Sequence, residues 1–138
     1  MIIVGIDPGK KTGMAFYSRE EKKIARVQTV SFWDCAYYII NNSGSQDILF
    51  IVENPQTKAV WHHAKTRAAQ NKTSVNVGSV LRESELIIDL IVLSNCKLIT
   101  CPPRGKIDAE KFKLITGFDK PTNPHTRDAG MLAWTYRN

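Results

Sequence analysis

Two apolar runs in this chain each end on a carboxylate. Ile2–Ile6 leads into Asp7, and the run in "DILFIVE" leads into Glu53. A charged group at the end of a buried strand loses hydration and needs a cation, a donor or a metal in compensation. Near the C-terminus His125 and Asp128 stand three apart, a spacing that projects both from one face of a helix's first turn. Each acid has an ordinary use on its own. Asp7 can cap a turn, Glu53 can pair with a lysine, and Asp128 can meet the positive end of a helix dipole. Taken together, three carboxylates and a histidine make a hard, oxygen-rich donor set suited to Mg²⁺ or Mn²⁺. Two such ions about 3.5–4 Å apart can activate a water and stabilise the leaving oxygen in phosphodiester cleavage.

Such a set works only if the elements bring it together. Ile2–Asp7 and Gly13–Tyr17 read as strands joined by a Pro8-Gly9 turn, and Lys23–Val30 alternates as a third. Ser31 caps a helix, "SFWDCAYYIINN", with Phe32, Cys35, Ala36, Ile39 and Ile40 on one face. "DILFIVE" is continuous in its apolar character, the mark of a strand buried on both faces. "GSVLRESELIIDLIVLSN" predicts a long helix: Val80, Ile87, Ile88 and Ile91 face the core, and Arg82, Glu83, Glu85 and Asp89 face out. "KLITC" is a strand closed by Pro102 and Pro103, and "DAEKFKLI" a short helix ended by Gly117. "HTRDAGMLAWTYRN" forms a last helix opening near His125. The order describes one α/β domain over residues 1–138 with a single mixed sheet. Open sheets of this kind place their sites at the carboxyl ends of strands, where Asp7 and Glu53 stand.

Composition narrows the partner. Nineteen Lys+Arg against 13 Asp+Glu give a net charge of +6, which favours a polyanion, nucleic acid before an anionic membrane. From Asn54 to Thr73 the chain holds Lys58, Lys65, Arg67 and Lys72, together with His62 and His63, and no acid. Phosphate contact is the reading of that stretch. Trp61 inside it either stacks on an unpaired base or packs in the core. No membrane span is expected, because Leu86–Leu93 is too short and contains Asp89. The first residues lack the cationic start of a signal peptide. Cys35, Cys96 and Cys101 show no CxxC spacing and read as reduced packing residues of an intracellular protein. A P-loop fails on spacing around Gly9-Lys10-Lys11, and no G-x-S-x-G occurs. An actin-like phosphate-binding domain shares the "DPGKKTG" opening but needs two related domains.

"GIDPGKKTGMAFY" with Asp7, "IVENP" with Glu53, and "NPHTRDAGMLAW" with His125 and Asp128 resemble the RuvC-type Holliday junction resolvases of the RNase H-like superfamily. The element order matches over nearly the whole chain. The resemblance implies an RNase H-like fold with a central five-stranded mixed sheet flanked by helices. It implies that Asp7, Glu53, His125 and Asp128 bind two Mg²⁺ or Mn²⁺ ions, and that a homodimer cuts symmetric strands of a four-way DNA junction. Basic residues before the last motif are also implied, with Lys106 and Lys111 nearest and Lys113 next. The family's aromatic shortly after the second acid is absent here, Gln56 standing in its place. Other branched DNA or RNA–DNA hybrids are the alternative substrates.

Overall fold

The computed structural model describes residues 1–54 and 82–138. The expectations for Lys58, Trp61, Lys65, Arg67, Lys72 and Val80 lie outside the described residues. In chain order the elements are β1 (Ile2–Asp7), β2 (Thr12–Ser18), β3 (Lys23–Val30), α1 (Phe32–Asn41) and β4 (Ile48–Glu53). Then come α2, described over residues 82–93, β5 (Lys97–Cys101), α3 (Ala109–Thr116) and α4 (Pro124–Thr135).

The five strands form one sheet in the order β3-β2-β1-β4-β5. β1–β2 and β2–β3 are antiparallel, while β1–β4 and β4–β5 are parallel. β1 and β4 are therefore central, which is why their sequences are apolar without alternation: both faces are covered. One face packs Val4, Ile6, Phe50 and Val52 against Cys35 and Ile39 of α1 and Ile87 and Ile91 of α2. The other packs Ile3 and Ile51 against Phe112 of α3 and Leu132 and Ala133 of α4.

The helix ends follow side-chain chemistry. Ser31 accepts the Asp34 backbone N–H at 3.1 Å, as its sequence position predicts. Asp108 does the same for Lys111 at 2.8 Å, and Gly117 closes α3 in the left-handed region at φ 73°. Asn123 and Thr126 satisfy each other's backbone N–H groups in a reciprocal cap, with Pro124 opening α4.

Two expectations about facing are corrected. Ile40 is 51% exposed rather than core-facing. It lies about 100° round the helix from Ile39, and Tyr38 takes the inward space, edge-on to Phe16 and Phe50. Glu83 is partly buried rather than outward, and its Oε2 has no hydrogen-bond partner among the described residues. Burial raises its pKa accordingly. All three cysteines are free. Burial pushes the Cys35 thiol up to about 12, so it packs rather than reacts. Among the described residues no helix is long and apolar enough to cross a membrane.

Candidate functional site

Side chains alternate across a strand, so Ile3, Gly5 and Asp7 share one face of β1, and Leu49, Ile51 and Glu53 share one face of β4. Ile3 and Ile51 pack under α4, so this is the α4 face. The parallel register pairs Ile6 with Val52, and its next step sets Asp7 beside Glu53. The two acids thus end neighbouring central strands and point to the same side.

α4 reaches them because the sheet lacks side chains beneath it. A Cβ at Gly5 would overlap the Ala129 carbonyl oxygen, and one at Gly13 would overlap the His125 carbonyl oxygen. The helix therefore rests on the backbone of β1 and β2, with its first turns over the carboxyl end of β1. Asn123 fixes the start laterally, its Nδ2 donating to Thr29 Oγ1 of β3 at 2.7 Å.

From there His125 Nδ1 comes within 3.4 Å of Asp7 Oδ2. Lys106, on the segment before α3, donates from Nζ to Asp128 Oδ2 at 2.7 Å. Asp7 and Asp128 keep 12% and 16% of their side chains exposed, against 46% for His125 and 74% for Lys106. Carboxylates form the floor; the nitrogen groups form the rim. α4 begins at Pro124, so Asp128 falls in its second turn and the first turn holds no acid. The helix-dipole reading of Asp128 loses its force there, since that effect fades within a turn.

The electrostatics show crowded acids. Burial, then the hydrogen bond and charge of Asp7, then the charge of Asp128, push the Glu53 carboxyl up to about 8, with Lys106 opposing. Asp7 is also raised, by burial first and by Asp128, against lowering by its hydrogen bond with Glu53 and by Lys106. The Lys106 ammonium is held above its ordinary value, mainly by its hydrogen bond to Asp128. At neutral pH the Asp7–Glu53 pair accordingly retains a proton that isolated carboxylates would have lost.

Sequence reasoning named Asp7, Glu53, His125, Asp128 and Lys106 as candidates, and the fold brings these five near one another through the Asp7–His125, Asp7–Glu53 and Lys106–Asp128 contacts. Lys111 is different: its backbone N–H serves the Asp108 cap, and among the described residues its exposed side chain touches none of the acids. Lys113, in the last turn of α3, is likewise exposed. Arg104 and Arg127 were missed. Arg104 lines a small cavity with Glu53, Gly105, Asp128, Met131 and Leu132. Arg127 donates from Nε to the Ile107 carbonyl at 3.0 Å and from Nη1 to Thr122 Oγ1 at 3.2 Å. No periodicity marks either residue. A separate cleft between Lys23–Ala25 and Thr116–Lys120 shares none of the carboxylates.

Among the described residues no three His, Cys, Asp or Glu side chains already stand close enough to enclose a metal ion. The donor set fits a divalent cation all the same. Carboxylates that hold back a proton because they are buried and crowded together are what such a charge relieves.

No family model matches the chain, and no curated protein does. Among solved structures it is similar to "T. thermophilus RuvC in complex with Holliday junction substrate", with a TM-score of 0.62 and 16% identity, covering 99% of this chain and 92% of that one. The architecture expected from the sequence is therefore found: an RNase H-like, RuvC-like fold, a five-stranded mixed sheet flanked by helices.

Proposed function

We propose that this chain is a divalent-metal-dependent endonuclease that hydrolyses phosphodiesters of branched DNA, four-way junctions first. The observation that carries the reading is the gathering of Asp7, Glu53, His125 and Asp128 on one face of the central strands, with the Lys106 ammonium on their rim. The likeness in fold to a resolvase bound to its junction supports it. Mg²⁺ or Mn²⁺ would be held by Asp7 and Glu53, with His125 and Asp128 completing the set. When bound, such an ion makes water more acidic and neutralises phosphate charge.

The chain's own groups do the rest. Asp7 and Glu53, which share a retained proton, would give it up in order to hold a cation. His125 lies within reach of Asp7 Oδ2 and restrains that carboxylate. Lys106, mostly solvent-facing, reaches toward an incoming phosphate and stabilises charge developing there. The basic residues Lys58, Lys65, Arg67 and Lys72, with Trp61, supply backbone and base contacts. A homodimer suits a symmetric junction that must be cut twice. α2 supports this, turning Ile87 and Ile91 inward while Val92 and Leu93 remain exposed, Leu93 at 83%.

The test is cleavage of end-labelled four-way junction, flap, linear duplex and RNA–DNA hybrid by the purified chain in Mg²⁺ or Mn²⁺. Paired nicks at the branch point of the junction are expected. Preference for the hybrid or the flap would move the substrate class, and no cleavage of any would overturn the reading.

A further inference from the structure

Residues 102–108, between β5 and α3, have no regular secondary structure, yet this segment carries Lys106. A lysine stem has four rotatable bonds, and Gly105 precedes it in the chain. On an unrestrained segment its ammonium would sweep a wide volume of solvent and meet Asp128 only in passing. The 2.7 Å contact with Asp128 therefore needs something that holds the backbone.

Two arginines do so, and both ties run to α4. Arg104 Nη1 donates to Thr135 Oγ1 at 3.2 Å, near the helix C-terminus. Arg127, one residue before Asp128, donates from Nε to the carbonyl of Ile107 at 3.0 Å, the residue directly after Lys106. Its Nη1 reaches Thr122 Oγ1 at 3.2 Å, on the segment leading into α4. A planar guanidinium holds two acceptors in a fixed relative geometry, which the freely rotating ammonium of a lysine does not. Arg127 is partly buried and forms no ion pair with a carboxylate among the described residues, so its donors serve these neutral acceptors. One helix thus presents the acid and, from the adjacent position, grips the segment that brings the cation to it.

We propose that Arg127 is a positioning residue for cleavage: by holding the Ile107 carbonyl and the Thr122 hydroxyl in one plane, it sets Lys106 over Asp128. This rests on the nuclease reading, with Lys106 as the group that stabilises phosphate charge. The Arg127 guanidinium is engaged by Ile107 and Thr122, so its effect passes through Lys106.

A double-mutant cycle tests the claim. Single-turnover cleavage of the junction, or of whichever nucleic acid the wild-type chain cuts, is measured in saturating Mn²⁺ for wild type, Arg127→Met, Lys106→Met and the double variant. Melting temperature is recorded for each. Misplacing a catalytic group by about an ångström costs on the order of tenfold to a hundredfold, so Arg127→Met is expected to lose at least about tenfold in rate. In the Lys106→Met background the same change should cost less than about twofold, because the group it positions is gone. If Arg127→Met does not fold, Thr122→Val removes one acceptor from the fork without touching α4. It should show a smaller loss that again vanishes in Lys106→Met. Additive losses would reduce Arg127 to general structural support and overturn the proposal. So would a Lys106→Met variant that cuts at the wild-type rate. A wild-type chain that cuts no nucleic acid in either metal would sink the nuclease reading, and this inference with it, a result separable from the other two.

Discussion

Asp7→Asn in the metal-free protein is expected to stabilise the fold, and by more at high pH. The Glu53 carboxyl is raised from 4.5 to about 8 in the folded chain. Between those two values the unfolded chain has released the proton while the folded chain keeps it. The folded state binds more protons, so stability is full below 4.5 and falls as pH rises through about 8. At about 1.4 kcal/mol per pH unit, that interval amounts to a ceiling of about 5 kcal/mol, which solvent screening of this partly exposed pair lowers. Burial is the first cause and survives the substitution; the hydrogen bond and charge of Asp7 come next and do not. Removing them should recover part of it, on the order of 1–2 kcal/mol at pH 9, or roughly 3–8 °C in melting temperature for a domain of this size. Near pH 5 Glu53 is protonated in the folded wild type, so the gain should shrink to less than about 1 kcal/mol. Calorimetry in a chelator from pH 5 to pH 9 measures both limits. Adding Mn²⁺ should then raise the wild-type midpoint, by about 2.7 kcal/mol at a hundredfold excess over Kd, and leave Asp7→Asn nearly unmoved. An Asp7→Asn variant less stable than wild type at pH 9, or a difference that does not change with pH, would refute the crowded-carboxylate account.

The other expectations are simpler. His125 is the one nitrogen in the proposed donor set, and Mn²⁺ accepts nitrogen more readily than Mg²⁺. His125→Asp should keep cleavage and shift preference toward Mg²⁺, whereas His125→Ala should impair both; an unchanged Mn²⁺ to Mg²⁺ rate ratio in both variants would remove His125 from the site. Neutralising Lys58, Lys65, Arg67 and Lys72 together should flatten the salt dependence of junction binding by about 0.9 log units of slope per lost phosphate contact, and a slope equal to wild type would return them to solvated surface.

Much of this architecture was readable because it follows from period and punctuation. β1 and β3 have the bounds that their apolar patterns and flanking turns predict. Ser31 and Gly117 cap where their chemistry says they should. Ile40 was misassigned because apolar character was taken for facing: a stripe has a width, and a tyrosine with an apolar ring filled the place instead. Lys106 could be separated from Lys111 and Lys113 only by the fold. Three lysines on or beside a short helix differ little in pattern, and what distinguishes them is the distance from one ammonium to Asp128. Arg127 gave still less warning, since its partners are a backbone carbonyl and a threonine hydroxyl. Neutral acceptors of that kind occur at nearly every position in a sequence.

The carboxylates were readable for a deeper reason than motif. A central strand of a parallel sheet is covered on both faces, so its sequence can carry no charge until it leaves the cover. The first charge after the apolar run marks the rim of the sheet. β1 and β4 are neighbours in register, and their first charges, Asp7 and Glu53, fall at the same height and on the same face. That face belongs to α4 because Gly5, two residues before Asp7, and Gly13, its antiparallel partner, leave room for helix backbone and nothing else. Close approach and acid placement are therefore one constraint. A larger residue at Gly5 would lift α4 at Ala129, between the turn that holds His125 and the turns above it, and carry Asp128 away from Lys106. The "GID" of the opening segment encodes the proximity of the helix in its glycine and the charge that the helix must meet in its aspartate.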